Sequence, residues 1–131
     1  IQNQVSNLQS SSSSSQEHSN SIDVSSTSAT IALDISDYKA HIINFTQAGA
    51  SIFTINYSNV SNSGTIDTFI VIVKYIQGHS INWNNVLWSG GTTPILTNVN
   101  GRADVFSFTT YNGGTSFIGS LIAQNLVSSS L

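Results

Sequence analysis

Residues 65–76 read Thr65-Ile66-Asp67-Thr68-Phe69-Ile70-Val71-Ile72-Val73-Lys74-Tyr75-Ile76. In an extended strand successive side chains point to opposite faces. One face of this stretch then carries Phe69, Val71, Val73 and Tyr75, and the other carries Ile66, Ile70, Ile72 and Ile76. Both faces are apolar, so the sequence predicts a strand covered on both sides, between two layers. The second layer is either a partner subunit or a segment of the same chain, and Ile66, Ile70 and Ile72 are the expected contact residues of an oligomer interface. Lys74 on that face predicts that burial fades toward the end of the strand.

The period of two extends outward from this stretch. Ala29, Ile31, Leu33 and Ile35 alternate with Thr30, Ala32 and Asp34. His41, Ile43 and Phe45 share one face, and after Gln47-Ala48-Gly49-Ala50 so do Phe53, Ile55 and Tyr57, which predicts a hairpin. Ile81-Asn82-Trp83 and Val86-Leu87-Trp88 flank a turn at Asn84-Asn85. Residues 103–110, with Phe106 and Phe108 on one face, lead through Tyr111-Asn112-Gly113-Gly114 into a return strand over 116–124. There Phe117, Leu121 and Ala123 face one way, and Ile118 and Ile122 the other. Eight or nine strands with frequent turn signals and no helical periodicity predict an all-β, antiparallel β-sandwich, jelly-roll-like, over residues 21–131. No repeat of solenoid or propeller length is visible.

Residues 1–20 differ. Ile1, Val5 and Leu8 fall on one stripe of a helix or coiled coil, the expected end of an oligomerising stalk. The six serines at 10–15 then open a linker. The chain begins with Ile1 rather than Met, which suggests a fragment or a processed product.

Composition narrows the function. Only 7% of the 131 residues are charged, and the net charge is −3. Lys39, Lys74 and Arg102 cannot build the basic groove that phosphate neutralisation requires, so no nucleic acid partner is expected. The longest apolar run, 69–73, is far short of a membrane-spanning helix, and no membrane insertion is expected. There is no Cys, which excludes disulfides and thiolate metal sites.

Catalytic and metal-ligating patterns are weak. His18, His41 and His79 lack metalloprotease spacing. Gly78-His79-Ser80 begins like a nucleophile elbow but has Asn82 where a Gly is needed. Asp34, Asp37, Asp67 and Asp104 are the carboxylates available for glycoside chemistry, but Asp34 and Asp37 suit a turn and Asp67 suits a structural hydrogen bond. Gly90-Gly91 and Gly113-Gly114 read as turns. No catalytic residue, metal or cofactor is expected. Asn84, Asn85, Tyr111 and Asn112 are the loop candidates for a glycan, offering amides and a ring.

One region has a family resemblance. Trp83-Asn84-Asn85-Val86-Leu87-Trp88-Ser89-Gly90-Gly91-Thr92-Thr93-Pro94-Ile95-Leu96-Thr97 is followed by Gly101-Arg102-Ala103-Asp104-Val105-Phe106-Ser107-Phe108, then by Tyr111-Asn112-Gly113-Gly114-Thr115-Ser116-Phe117-Ile118-Gly119-Ser120. This resembles the C-terminal β-domain of tailed-bacteriophage virion structural proteins, in which W-x-G-G-x-x-P-x-L-T precedes G-[KR]-x-D-V-F-x-F and a D-G-G-T hairpin. Asn112 stands where that hairpin often has Asp. The resemblance implies a non-enzymatic homotrimeric head of a fibre or tail appendage, on the virion surface. It further implies contact with other virion proteins through the N-terminal side, and adhesion to a host-surface glycan. A capsid decoration or head-fibre protein is the alternative, and a glycan-active enzyme domain a more distant one.

Overall fold

The structure, a computed structural model, describes residues 17–25 and 30–131. The expected stalk residues Ile1, Val5 and Leu8 lie outside the described residues. The described residues form nine strands: β1 (Ser19–Val24), β2 (Thr30–Asp34), β3 (Ala40–Phe45), β4 (Ile52–Ser58), β5 (Asp67–Lys74), β6 (Ser80–Asn82), β7 (Val86–Trp88), β8 (Arg102–Thr110) and β9 (Phe117–Val127). Ser19 and Asn20, assigned to the linker by composition, open β1. Short 3-10 turns occupy Ser89–Gly91 and Ser128–Ser130, and there is no α-helix among the described residues.

The strands form two sheets, six-stranded in the order β1-β3-β5-β8-β9-β7 and three-stranded in the order β2-β4-β6. Both bury their inner faces in one core. Phe45, Phe69, Val71, Val73, Phe106, Phe108 and Phe117 enter it from the larger sheet, and Ile31, Leu33, Phe53 and Ile55 from the smaller. Aromatic contacts cross between the layers: Phe45 lies 5.4 Å from Phe53, and Tyr57 stacks on Phe117 at 4.1 Å. The all-β, two-layer expectation is met.

The antiparallel expectation is not. From β1 to β6 the chain alternates between the sheets, so each strand pairs in parallel with the next but one: β3 with β1, β4 with β2, β5 with β3, β6 with β4. β7 also runs parallel to β9. Antiparallel pairing is confined to β5-β8 and β8-β9. This winding is not the double Greek key of a jelly roll. Ser19 stands opposite Ala40 and Ala40 opposite Ile70, so successive coils differ in length, and no fixed repeat marks the sequence.

The expected hairpin between β3 and β4 is instead an arch between sheets. Residues 46–51 carry the chain across the layer gap, about 10 Å wide for stacked sheets. The arch is fastened to the neighbouring arch at 75–79 by His79. The Ser51 N–H donates to His79 Nδ1 (3.3 Å), and His79 Nε2 lies 2.7 Å from the Gln47 carbonyl. A neutral ring protonated on Nε2 satisfies both contacts. Gly78 has φ +116°, and a Cβ there would stand 2.2 Å from the Gly49 oxygen. The Asn84-Asn85 turn likewise joins strands of different sheets.

Because β1, β3 and β5 run the same way, the chain enters at Glu17 on the end of the sandwich that also carries the 59–66, 83–85 and 111–116 connections. The opposite end carries 46–51, 75–79, 89–101 and the C-terminus. Gly78→Ala, which adds a strained left-handed residue and a clash in the arch pair, is expected to cost roughly 2 kcal/mol or more of unfolding free energy in urea denaturation.

Candidate functional site

The oligomer candidates lie on the outer face of the six-stranded sheet. Phe69, Val71 and Val73 point into the core, so Ile70 and Ile72 point out, where they are half-buried. The register extends this face across the sheet, aligning Ala40, Ile70 and Ser107 in one row and Ser21, Ile42, Ile72 and Val105 in the next. Val105 is buried yet is not among the residues of the central core. Ile66 lies outside the strand. It precedes β5 and is 68% exposed, because the strand begins only at Asp67, whose carboxylate is turned inward to hold the preceding loop.

Two exposed residues complete the face on β9: Ile118 (51%) and Ile122 (56%). Leu87, opposite Ile118 on β7, is exposed beside them. Their parity was visible in the sequence, but their places in the sheet were not: Ile118 stands between Thr109 and Leu87, in the row of Thr68, and Ile122 lies beside the row of Ile72 and Val105. The register slips twice between β8 and β9, so that Val105 faces Ala123 while Phe106 faces Leu121 and Ile122 is left unopposed. Such bulges re-aim side chains. The centre of this face carries only apolar and hydroxyl side chains, and charges gather at its ends: Asp23 and Lys74 at one, Glu17 and Lys39 at the other.

The glycan candidates are brought together at the end where Glu17 enters. The Phe117 N–H donates to the Asn85 carbonyl (2.8 Å), setting the Asn84-Asn85 turn beside the 111–116 turn. Asn84 and Asn85 are exposed, and Tyr111 is exposed with its carbonyl accepting from the Gly64 N–H at 2.9 Å. Asn112 is committed to its own turn. Its Oδ1 accepts from Thr110 Oγ and from the Ser116 N–H, and its Nδ2 donates to Ser116 Oγ. It closes a hairpin.

The carboxylates do structural work. Asp104 is fully buried on the inward face of β8, and four donors converge on it. Tyr75 Oη–H (2.6 Å) and the Thr97 N–H (2.8 Å) donate to Oδ2, while Thr97 Oγ–H and the Asn125 N–H (3.0 Å) donate to Oδ1. One side chain thereby ties the end of β5, the 89–101 loop and the bulge of β9, where Asn125 has φ 59°. Burial and the bond to Asp104 push the Tyr75 phenol far above its ordinary range. Asp67 accepts from the Ser61 N–H (2.7 Å) and Oγ–H (2.8 Å), closing the 59–66 loop. Asp34 forms a turn with Ser36, whose N–H (3.1 Å) and Oγ–H (3.0 Å) donate to it. The Asn59 side chain first, and then Ser36, hold the Asp34 carboxyl below its usual range. No group of three or more potential metal ligands occurs among the described residues.

Three core side chains keep buried polar atoms without a hydrogen-bond partner among the described residues: Tyr57 Oη, Trp83 Nε1 and both ring nitrogens of His41. His41 is fully buried between Tyr38 and Phe69, both edge-on to its ring. Burial lowers its pKa below 6.5, opposed more weakly by the Tyr38 backbone and the Asp34 carboxylate.

Comparison with protein-family models, with curated proteins and with solved structures finds no match to this chain.

Asp104→Ala strands four donors, and is expected to lower stability by about 3 kcal/mol or more in chemical denaturation. An enzymatic role would instead show as lost turnover with stability intact. For His41 the unfolded chain binds the proton more readily than the folded one. Stability therefore falls as pH drops below 6.5, until the folded ring is itself protonated. His41→Leu is expected to remove this share of the pH slope and to be neutral or stabilising by up to about 2 kcal/mol at pH 7, measured by denaturation across pH 5–7.

Proposed function

We propose that this chain is a non-enzymatic virion structural domain, the trimeric head of a phage fibre or tail appendage with a role in host-surface adhesion. The observation that carries the proposal is the outer face of the six-stranded sheet. Ile42, Ile70, Ile72 and Val105 form a neutral apolar band that ends beside Ile122 on β9, and the exposed Ile118 and Leu87 lie on the same face across the hydroxyls of Ser107, Thr109 and Ser120. An exposed apolar face broken only by hydroxyls marks an interaction site on an otherwise polar domain. The band's centre lacks charge, so it suits a copy of itself better than a strongly charged partner.

Two further features support the reading. The resemblance over residues 83–120 falls on residues that build the sandwich: Trp88, Phe106, Phe108, Asp104 and the 111–116 hairpin. The carboxylates that a glycoside hydrolase would need are engaged in holding loops. The N-terminal side then serves attachment to other virion proteins. Because Asn84, Asn85 and Tyr111 lie at the end where the chain enters, a head projecting from that attachment presents the 46–51, 75–79 and 89–101 loops outward.

The test is the native mass of the full chain by light scattering. The expected value is about three times 13.9 kDa, returning to 13.9 kDa when Ile118→Glu and Ile122→Glu place charges on the exposed edge of the band. A wild-type monomer at all concentrations would overturn the trimer. Binding to susceptible cells is expected of the tail-appendage head, whereas binding to empty capsids would favour a decoration protein.

A further inference from the structure

β7 ends at Trp88, which stands opposite Gly119. Beyond that point β9 continues through Ser120 and Leu121 with no strand beside it on that edge among the described residues. The chain meanwhile turns at Ser89–Gly91, where Gly90 and Gly91 have φ 67° and 71°, and comes back past Pro94. The result is a groove of about 270 Å³ lined by Trp88, Ser89, Thr92, Pro94, Ser120 and Leu121, with Gly119 beneath.

The groove is rigid. Trp88 is half-buried, with its ring edge-on to Trp83, Phe106 and Phe108 at centroid distances of 5.7–6.0 Å. Gly119 has no room for a side chain, since a Cβ there would stand 2.6 Å from Val86 Cγ1 and 2.9 Å from Trp88 Cζ3. The returning loop is pinned where the Thr97 N–H meets Asp104, and where Gln124 Nε2 donates to the Ile95 carbonyl at 2.8 Å. A preorganised site loses little freedom when a ligand arrives.

Its chemistry is specific in kind. An indole, a proline and a leucine supply apolar surface, and three hydroxyls stand at the rim. Backbone groups of Ser120 and Leu121 lie along the unpaired edge of β9. No charged side chain lines it. The π face of an aromatic ring is negative and attracts polarised C–H groups. Serine and threonine hydroxyls both donate and accept, as sugar hydroxyls do. An anionic or cationic ligand would find no counter-charge here. The volume, about 270 Å³, falls just below the usual range for drug-sized ligands and suits a single ring.

We infer that the Trp88 groove binds a single neutral pyranose unit, such as the terminal or branch residue of a polysaccharide. The site is separate from the Asn84, Asn85 and Tyr111 turn cluster, and it does not require the assembly proposed above.

The chain contains two tryptophans, so its two indole N–H signals can be assigned in a heteronuclear NMR spectrum by one Trp→Phe variant. The probes are methyl α-glucoside, methyl α-galactoside and methyl α-mannoside, titrated separately into the full chain. The expected result is a saturable shift of the Trp88 indole and of the Thr92, Ser120 and Leu121 amides for at least one sugar. Trp83 should stay fixed, affinity should be insensitive to salt, and binding should be at least about tenfold weaker in Ser120→Glu, whose exposed position leaves the core untouched. Absence of groove shifts with all three sugars would overturn the inference. So would shifts unchanged in Ser120→Glu, or Trp88 indole and Thr92 amide shifts that follow protein concentration and not sugar. A monomeric chain that still shows the sugar-dependent shift would sink the trimer and leave the groove standing.

Discussion

β5 is the strand on which both halves of the sandwich depend. On one side it pairs in parallel with β3, continuing a chain that winds from sheet to sheet; on the other it pairs antiparallel with β8, beginning a meander. Val71 stands between His41 and Phe106 and is fully buried. A one-residue slip at this strand would turn Phe69, Val71 and Val73 outward and Ile70 and Ile72 inward, so the core fixes the register of every neighbour. Both faces of β5 are apolar for different reasons. One fills the core, and the other forms the centre of the outer band.

The connections follow from the same constraint. Strands of one sheet that are neighbours in parallel cannot be joined by a tight turn, so the chain must leave the sheet and return. Here it returns through the second sheet, and each departure needs an arch across the layer gap. His79 braces two of these arches, and Asp67 and Asp104 hold loops at opposite ends. A chain so poor in charge spends its few buried carboxylates on backbone and hydroxyl donors, where each satisfied bond offsets the desolvation of the group. His41 lacks such partners and leaves the core sensitive to acid.

The functional surfaces come from the edges of this scheme. The sheet that ends in a three-residue β7 leaves β9 uncovered beyond Trp88, and the loop returning to β8 makes a groove of that gap. Among the described residues the second layer stacks on the inner face of the larger sheet alone, and the outer face carries no third layer.

The sequence alone determined the strand content, the inward faces of most strands, the 111–116 hairpin and the turn role of Asp34, because alternation and turn chemistry are local properties. It also placed Ile70 and Ile72 on a face distinct from the core. Pairing direction was decided only by the tertiary structure. Alternation states which side of a strand is buried but not which strand lies beside it, and a six-residue break with glycine suits a hairpin and an arch alike. The apolar run of 69–73 fits a strand in parallel pairing as well as one covered on both sides. Asn112 looked free because its partners, Thr110 and Ser116, become partners only when the turn closes. The junction made by Asp104 and the groove beside Trp88 likewise depend on contacts between residues distant in sequence, which only the folded chain brings together.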